Sequence, residues 1–228
     1  MGLRIAIDLD GTIADLSRAM HRIATKKFQK LQKRVEDDAE HGTAPDPPAE
    51  RPTLMDLDLT PSDLDRLWIH VLKTRDFWTT LEETDAGIVK RIADLADDRR
   101  WDVLFITTRP ASAGRTTQVQ SQEWLAAKGF RHPSVYVVRG SRGRVATALD
   151  LDAVVDDRPE NCLDVAAESP AKAILVWPGP LDALGPGVDR HGVVVRPSIG
   201  EALDELVEMD RERRGGVVRS IKRMLGRR

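Results

Sequence analysis

The chain has 228 residues, of which 41% are hydrophobic and 32% are charged. This balance excludes a disordered chain, and no apolar run reaches the ~18 residues that a membrane-spanning helix needs. Lysine and arginine (35 residues) nearly match aspartate and glutamate (37 residues), which excludes a globally basic nucleic-acid-binding protein. The only cysteine, Cys162, cannot form an internal disulfide, and with no signal peptide in the pattern we expect a cytoplasmic protein.

Short apolar segments alternate with helical patterns along the chain, which is typical of a parallel sheet covered by helices. Several segments contain adjacent apolar residues, as strands buried on both faces do. The pattern predicts strands at residues 3–7, 102–107, 134–138, 153–155, 173–176 and 191–194. It predicts crossover helices at 115–128 and 159–168, and a last helix that begins at a capping box over 198–201.

An insertion follows the first predicted strand, because about 90 residues precede the next strong strand and one crossover helix needs far fewer. A second helix of this insertion is predicted from Thr60, Pro61 and Asp63, which supply a cap, a first-turn proline and an acid. A Pro-rich loop at 42–53 precedes it. A first helix is predicted from apolar residues at near-helical spacing, namely Ile13, Leu16, Met20, Ile23, Phe28, Leu31 and Val35.

Acidic residues follow directly after the first strand. Asp8 and Asp10 flank a leucine, and Gly11 and Thr12 come next. Other Asp-Leu-Asp sequences, such as those at 56–58 and 150–152, lack this context. Because α/β folds bind ligands at the carboxyl edge of the sheet, and glycine lets the backbone turn close to a phosphate, this segment predicts a ligand site.

Two further strand ends deliver polar groups to the same edge. Thr107, Thr108 and Arg109 end the second strand, and Asp156 and Asp157 end the fourth. Carboxylates packed this closely repel one another unless a cation neutralises them. Hard oxygen ligands favour Mg²⁺, which also retains water and binds a substrate phosphate.

These three segments, in this order and strand context, resemble the signature motifs of haloacid dehalogenase-like phosphohydrolases. The similarity covers the chain from Leu3 to about Val176. Features of the 5′(3′)-deoxyribonucleotidase branch are similar too: Phe77-Trp78 before Leu81-Glu82, the Thr-Arg-Pro strand end, and Asp-Asp-Arg-Pro at 156–159. The chain departs from that branch at 85–87, where Asp-Ala-Gly replaces the usual Pro-Gly-Ala.

The resemblance implies roles for the acidic residues. Asp8 is expected to be the nucleophile that forms an aspartyl-phosphate. Asp10 is expected to act as general acid for the leaving alcohol and then as general base for water. Asp8, the backbone carbonyl of Asp10 and Asp157 are the expected Mg²⁺ ligands. Asp156, the poorer match to the metal position, is expected to assist or orient.

The resemblance also implies phosphate-binding residues. Thr107 or Thr108 is expected to hydrogen-bond the phosphoryl oxygens, with Thr108 favoured by the nucleotidase pattern, and Arg109 adds a cation. The family's usual lysine before the last acidic motif is missing, because no lysine lies between residues 128 and 156. Arg144 is nearest the expected place and Arg142 is second; either keeps the charge with a different reach.

The expected architecture is a three-layer α/β, Rossmann-like core with a small, mostly helical cap inserted after the first strand. Residues 1–15 and 81–210 would form the core and 16–80 the cap. The expected activity is Mg²⁺-dependent hydrolysis of a small phosphorylated substrate, with 5′-nucleotidase action on (deoxy)nucleoside monophosphates as first choice. The alternatives are a phosphatase for another metabolite or a polynucleotide end, and a non-catalytic phosphate-binding regulatory module.

Two features have open roles. Phe77 and Trp78 could stack on a base in the cap, although aromatic residues beside an amphipathic helix more often belong to the core. Residues 211–228 contain eight basic residues and one acid, with an apolar helical face. That pattern permits contact with nucleic acid or a membrane surface, and a solvated terminal helix is the commoner outcome.

Overall fold

Six parallel strands form the centre of the molecule. The computed structural model describes residues 2–27 and 59–225, with side chains in the last helix described as far as residue 215. The strands are β1 (Arg4–Asp8), β2 (Asp102–Thr107), β3 (Ser134–Val137), β4 (Ala153–Asp156), β5 (Lys172–Val176) and β6 (Val194–Arg196). Their order in the sheet is β3-β2-β1-β4-β5-β6, that of a Rossmann-like sheet.

The strand order reverses beside β1. This strand pairs with β2 on one side, where Asp8 lies opposite Ile106, and with β4 on the other, where Ile7 lies opposite Val155. The chain therefore builds outward from β1 in both directions, which opens a crevice at the carboxyl ends of β1, β2 and β4.

Helices cover both faces of the sheet. They are α1 (Leu16–Lys27), α2 (Pro61–Lys73), α3 (Ile88–Arg99), α4 (Thr117–Ala127), α5 (Arg142–Ala148), α6 (Pro159–Glu168), α7 (Gly187–Arg190) and α8 (Ile199–Leu225). Ile5 and Ile7 pack into a core with α3, α4 and α8, while Ala6, between them, packs into a second core with α5, α6 and α7. This alternation confirms the three-layer α/β core.

The segment between β1 and β2 contains α1 and α2. Thr60 caps α2: its Oγ1 accepts from the backbone N–H of Asp63 (3.2 Å), and the Asp63 carboxylate accepts from the Thr60 N–H. The capping pattern at 60–63 thus predicted this helix start correctly. Buried Met20 of α1 and Leu67 of α2 join the core beside α3. The predicted continuation of α1 through Phe28, Leu31 and Val35 and the loop at 42–53 lie outside the described residues.

The sixth strand was predicted too early. The pattern placed it at 191–194, whereas β6 spans Val194–Arg196, because its pairing with β5 sets Val194 opposite Ile174. Residues 191–192 instead form a turn in which Gly192 has φ +69°. The other five strands were predicted to within one residue at each end.

Helix α8 is fixed to the core by its first four turns. Ile199, Leu203 and Leu206 are buried against the sheet. The buried carboxylate of Asp210 accepts from Arg99 Nη1 and Arg214 Nε, each at 3.0 Å. Contacts of the basic residues beyond 215 lie outside the described side chains. No helix in the described part of the chain is both long and apolar enough to cross a bilayer. The bounds given above for core, cap and tail stay predictions.

Candidate active site

A cleft of about 480 Å³ opens where the sequence order of the strands reverses. Asp8, Asp10, Thr108 and Arg109 line its sheet side, so residues of the first two predicted motifs face it. Two wider depressions, of about 790 and 840 Å³, lie at the opposite edge of the sheet, where β1 and β2 begin. The remaining lining residues of the cleft are Leu16, Trp68, Leu72, Trp78, Pro110, Arg158 and Asn161.

Asp8 is paired with a buried arginine. Arg142 Nη2 donates to Asp8 Oδ1 at 2.7 Å, and Arg142 Nε lies 3.6 Å from Asp156 Oδ2. Burial raises the pKa of Asp8 well above its usual range; the Asp156 charge adds to this, and Arg142 opposes it. Arg142 is only 2% exposed, and its Nη1 has no hydrogen-bond partner among the described residues. It therefore supports the charged form of Asp8 and keeps a donor available for a ligand.

The choice of Arg144 as the lysine replacement is corrected by this geometry. Arg144 is exposed and lies beside Glu168, at 3.6 Å, away from the acidic cluster. It is two residues from Arg142 on α5, and two helical residues are separated by about 200°, so the two side chains leave the helix in nearly opposite directions. Ser141, which caps this helix through the N–H of Arg144 (3.0 Å), fixes which of the two points inward.

Asp10 is paired with a second buried arginine. Arg109 Nε donates to both oxygens of Asp10 (3.0 and 2.8 Å), and Nη2 donates to Oδ1 at 2.8 Å. Arg109 Nη1 donates to Ser121 Oγ at 2.9 Å, and the side chain has no exposed surface. The guanidinium group of Arg109 therefore holds Asp10 with two of its nitrogens, and its expected phosphate-binding role stays a prediction.

The two threonines at the end of β2 differ in exposure. Thr107 is buried; its Oγ1 accepts from the Arg109 N–H (3.1 Å) and approaches Asp10 Oδ2 at 3.4 Å. Thr108 is exposed and lines the cleft. Thr108 is therefore the hydroxyl open to a bound phosphate, and its phosphate-binding role stays a prediction.

Asp156 supports the site from behind. It is fully buried, and its oxygens accept from the Arg158 N–H (2.9 Å) and from Asn161 Nδ2 (3.0 Å to each). Burial raises the pKa of Asp156, and the Asn161 hydrogen bond opposes the shift. Because these hydrogen bonds hold it and it lies beside Arg142, Asp156 fits the expected orienting role, and its place among the metal ligands stays a prediction. Sequence reasoning missed Asn161.

Asp157 faces the loop after β1. Thr12 Oγ1 donates to its Oδ1 at 3.3 Å. Burial, followed by the charge of Asp156, raises the pKa of Asp157 to about 7. Gly11 has φ +90°, and a Cβ built there would lie 2.0 Å from Asp157 Oδ2, so only glycine permits this approach.

Phe77 and Trp78 are core residues. Both are buried, their rings meet edge to face at 5.1 Å, and Trp78 Nε1 donates to the Pro110 carbonyl at 3.1 Å. The expectation that either stacks on a base is corrected, because Trp78 has no exposed surface. The half-buried aromatic residue of the cleft is Trp68 on α2.

A sequence signal for Trp68 exists in the pattern of α2. Leu67 and Val71 form its buried stripe. Leu64, Trp68 and Leu72 form a second stripe at four-residue spacing. Together the two stripes make the apolar face of α2 wider than packing against the core requires.

The donor set suits a divalent cation. Four carboxylates and two buried guanidinium groups carry a formal net charge of −2; they belong to Asp8, Asp10, Asp156, Asp157, Arg109 and Arg142. No group of three or more acidic, histidine or cysteine side chains in the described residues is arranged to enclose a metal ion. Mg²⁺ needs fewer, because it binds one or two carboxylates together with water and substrate phosphate. Asp8 and Asp157 fit that requirement.

Comparison with solved structures agrees with this fold. A candidate β-phosphoglucomutase from Thermotoga maritima superposes with a TM-score of 0.50 at 15% identity, covering 90% of this chain and 99% of that one. A haloacid dehalogenase-like family hydrolase from Xanthomonas campestris superposes with a TM-score of 0.46 at 16% identity, covering 93% and 95%. No curated protein matches the sequence.

The family match is more specific than these structural similarities. The family model described as "5′ nucleotidase, deoxy (Pyrimidine), cytosolic type C protein" matches residues 3–177, more than half of the chain. That range includes all three acidic and hydroxyl motifs and the insertion between β1 and β2. The chain therefore belongs to this 5′ nucleotidase family of haloacid dehalogenase-like phosphatases.

Proposed function

We propose that the protein hydrolyses (deoxy)nucleoside 5′-monophosphates with Mg²⁺, through an aspartyl-phosphate on Asp8. The observation that carries this proposal is the buried ion pair of Asp8 with Arg142, because Asp8 lines the same cleft as Asp10. An anionic carboxylate beside a fixed guanidinium is the arrangement that attack on a phosphorus atom needs. Membership in the nucleotidase family supports the substrate class.

Asp8 and Asp10 have different roles in the two halves of the reaction. In the first half, an Asp8 oxygen bonds to phosphorus, the ester P–O bond breaks, and a proton on Asp10 passes to the leaving oxygen. In the second half, Asp10 takes a proton from water, the water oxygen bonds to phosphorus, and the bond to Asp8 breaks. Asp10 thereby regains its proton, and inorganic phosphate is released.

The phosphoryl group would be held by groups that have donors to spare. Arg142 Nη1, buried and unpartnered in the described structure, is one donor, and the exposed Thr108 hydroxyl is another. Asp8, the Asp10 carbonyl and Asp157 would hold Mg²⁺, whose charge would offset the repulsion between the carboxylates and the phosphate.

An apolar wall faces the acidic residues across the cleft. It consists of Leu16, Trp68 and Leu72, all half-buried. A planar base stacks on an exposed aromatic face with roughly 1–3 kcal/mol, whereas a sugar phosphate has no such group. This wall favours a nucleoside as the leaving alcohol over a small sugar.

A substrate panel tests the proposal directly. Deoxyuridine 5′-monophosphate, other nucleoside monophosphates, sugar phosphates and 4-nitrophenyl phosphate would be assayed with Mg²⁺ and with EDTA. We expect the highest kcat/KM for a nucleoside monophosphate and loss of activity in EDTA. Hydrolysis of sugar phosphates, with no hydrolysis of any nucleotide, would instead support a phosphatase that acts on another metabolite.

The variant Asp8→Asn tests the covalent mechanism. The amide keeps the size of the side chain but cannot form the aspartyl-phosphate, so turnover should fall by several orders of magnitude with the fold retained. Retention of more than about a tenth of wild-type turnover would contradict the covalent mechanism.

A further inference from the structure

Arg109 is the most completely enclosed charged group in the cleft. Its guanidinium lies 5.0 Å from the Trp78 ring centroid and 6.0 Å from that of Trp124. All three of its nitrogens donate hydrogen bonds, two of them to Asp10 and the third to Ser121. Three of its five N–H groups are used in this way, and the two tryptophan rings leave the guanidinium little freedom to move.

Asp10 depends on this arginine for its position. Both of its oxygens accept from Arg109, and Thr107 Oγ1 adds a longer contact of 3.4 Å. The Asp10 side chain keeps 17% of its surface exposed, and it lines the cleft. The exposed part of this carboxyl group therefore faces the cleft.

We infer that Arg109 is a positioning residue that acts on the reaction through Asp10, by fixing this carboxyl group where it can pass a proton to the leaving oxygen and take one from water. The inference rests on the proposed function, because it needs Asp10 to be the acid and base of a phosphomonoesterase.

The leaving group separates this role from phosphate binding. A nucleoside alkoxide needs a proton in order to leave, whereas 4-nitrophenolate leaves without one. If Arg109 acts through Asp10, Arg109→Lys should lower kcat/KM for deoxyuridine 5′-monophosphate about 100-fold and that for 4-nitrophenyl phosphate less than about tenfold. A phosphate-binding or purely structural role would lower both equally.

The second half of the reaction gives an independent readout. Asp10 also activates water, so in Arg109→Lys the aspartyl-phosphate should accumulate after the aryl group has left. A burst of 4-nitrophenolate, equal to the enzyme concentration, should then precede slow turnover. Because kcat/KM reports only the steps through departure of the first product, the burst and the leaving-group contrast are separate observations.

A double-mutant cycle with Asp10→Asn tests the connection itself. Once Asp10 is replaced, adding Arg109→Lys should cost less than about twofold, because the group on which it acts is gone. Ser121→Ala, which removes only the third anchor of the guanidinium, should show the same substrate contrast at smaller size. Ser121→Ala takes the place of Arg109→Lys in the substrate comparison if Arg109→Lys does not fold. Arg115→Lys, on an exposed arginine paired with Glu123, is the matched control.

The outcomes distinguish failure of the positioning role of Arg109 from failure of the proposed function. Equal losses on both substrates with Arg109→Lys, or full additivity with Asp10→Asn, would overturn the positioning role while wild-type activity stood. If Asp10→Asn itself showed no preference between leaving groups, or if the wild type hydrolysed no phosphomonoester, the proposed function would fail first.

Discussion

The raised pKa of Asp157 makes the metal-free protein lose stability as the pH rises. In the unfolded chain this carboxyl titrates near its ordinary 3.8, and in the fold it titrates at about 7. The stability contributed by its protonated form is therefore fully present below about pH 4 and is lost as the pH rises to about 7. Each pH unit between the two values contributes about 1.4 kcal/mol, so the loss reaches at most about 4 kcal/mol. Residual contact of the carboxylate with water reduces it.

Asp157→Asn removes this penalty. The amide oxygen still accepts the Thr12 hydrogen bond, and no charge is buried. Urea denaturation in EDTA should give equal free energies of unfolding near pH 4 and an advantage for the variant that grows toward about pH 8. Asp98→Asn, the same change at an exposed position of α3, should follow the wild type.

Magnesium should make the wild type more stable to unfolding than Asp157→Asn. At a concentration of 100 times its Kd, Mg²⁺ should return about 2.7 kcal/mol to the wild type and little to Asp157→Asn. Parallel wild-type and variant curves from about pH 4 to about pH 8 would refute the assignment of the penalty to Asp157. Equal stabilisation of both proteins by Mg²⁺ would refute its role as a ligand.

Five further substitutions test other parts of the structure. Arg142→Ala should lower kcat/KM by about 100-fold or more and weaken vanadate binding in titrations, because Asp8 loses its counter-charge. Arg144→Ala, at an exposed pair, should change either quantity less than about twofold. Trp68→Ala should raise KM for nucleotides about tenfold and leave a small alkyl phosphate unaffected in steady-state assays. Trp78→Ala should instead lower the free energy of unfolding by about 3–5 kcal/mol, measured by urea denaturation. Asp210→Asn should lower the same quantity by about 2 kcal/mol, because two charged donors lose an ionic acceptor.

The fold could be predicted because its signals are local. Strands of a parallel sheet are covered on both faces and therefore appear as apolar runs, and the ends of β2 and α6 matched the pattern. The exception, β6, overlaps a run of three valines at 193–195, so the run alone does not define which residues pair. Pairing with β5 decides that, and it is a tertiary contact that a local pattern does not contain.

The candidate site could be predicted only as far as residue types at strand ends. Sequence order placed Asp8, Asp10 and Asp157 at one edge, but it could not assign a partner to each carboxylate. Arg142 and Arg144 are the same residue type, and proximity in sequence favoured Arg144. The start of α5 after its cap Ser141 turns Arg142 inward instead. The direction in which a side chain points, and the group it contacts, depend on helical phase and on residues distant in the sequence.

The two buried arginines explain how the site tolerates the missing lysine. A lysine is a single point charge, whereas the planar fork of Arg142 contacts Asp8 with one nitrogen, lies beside Asp156 with a second and keeps the third without a partner. One residue can thus hold the nucleophile and still offer a donor to the phosphate. Arg109 serves Asp10 separately, so neither carboxylate competes with the other for a cation. This division leaves the charge of Asp157 uncompensated, which is the physical reason to expect a divalent cation beside it.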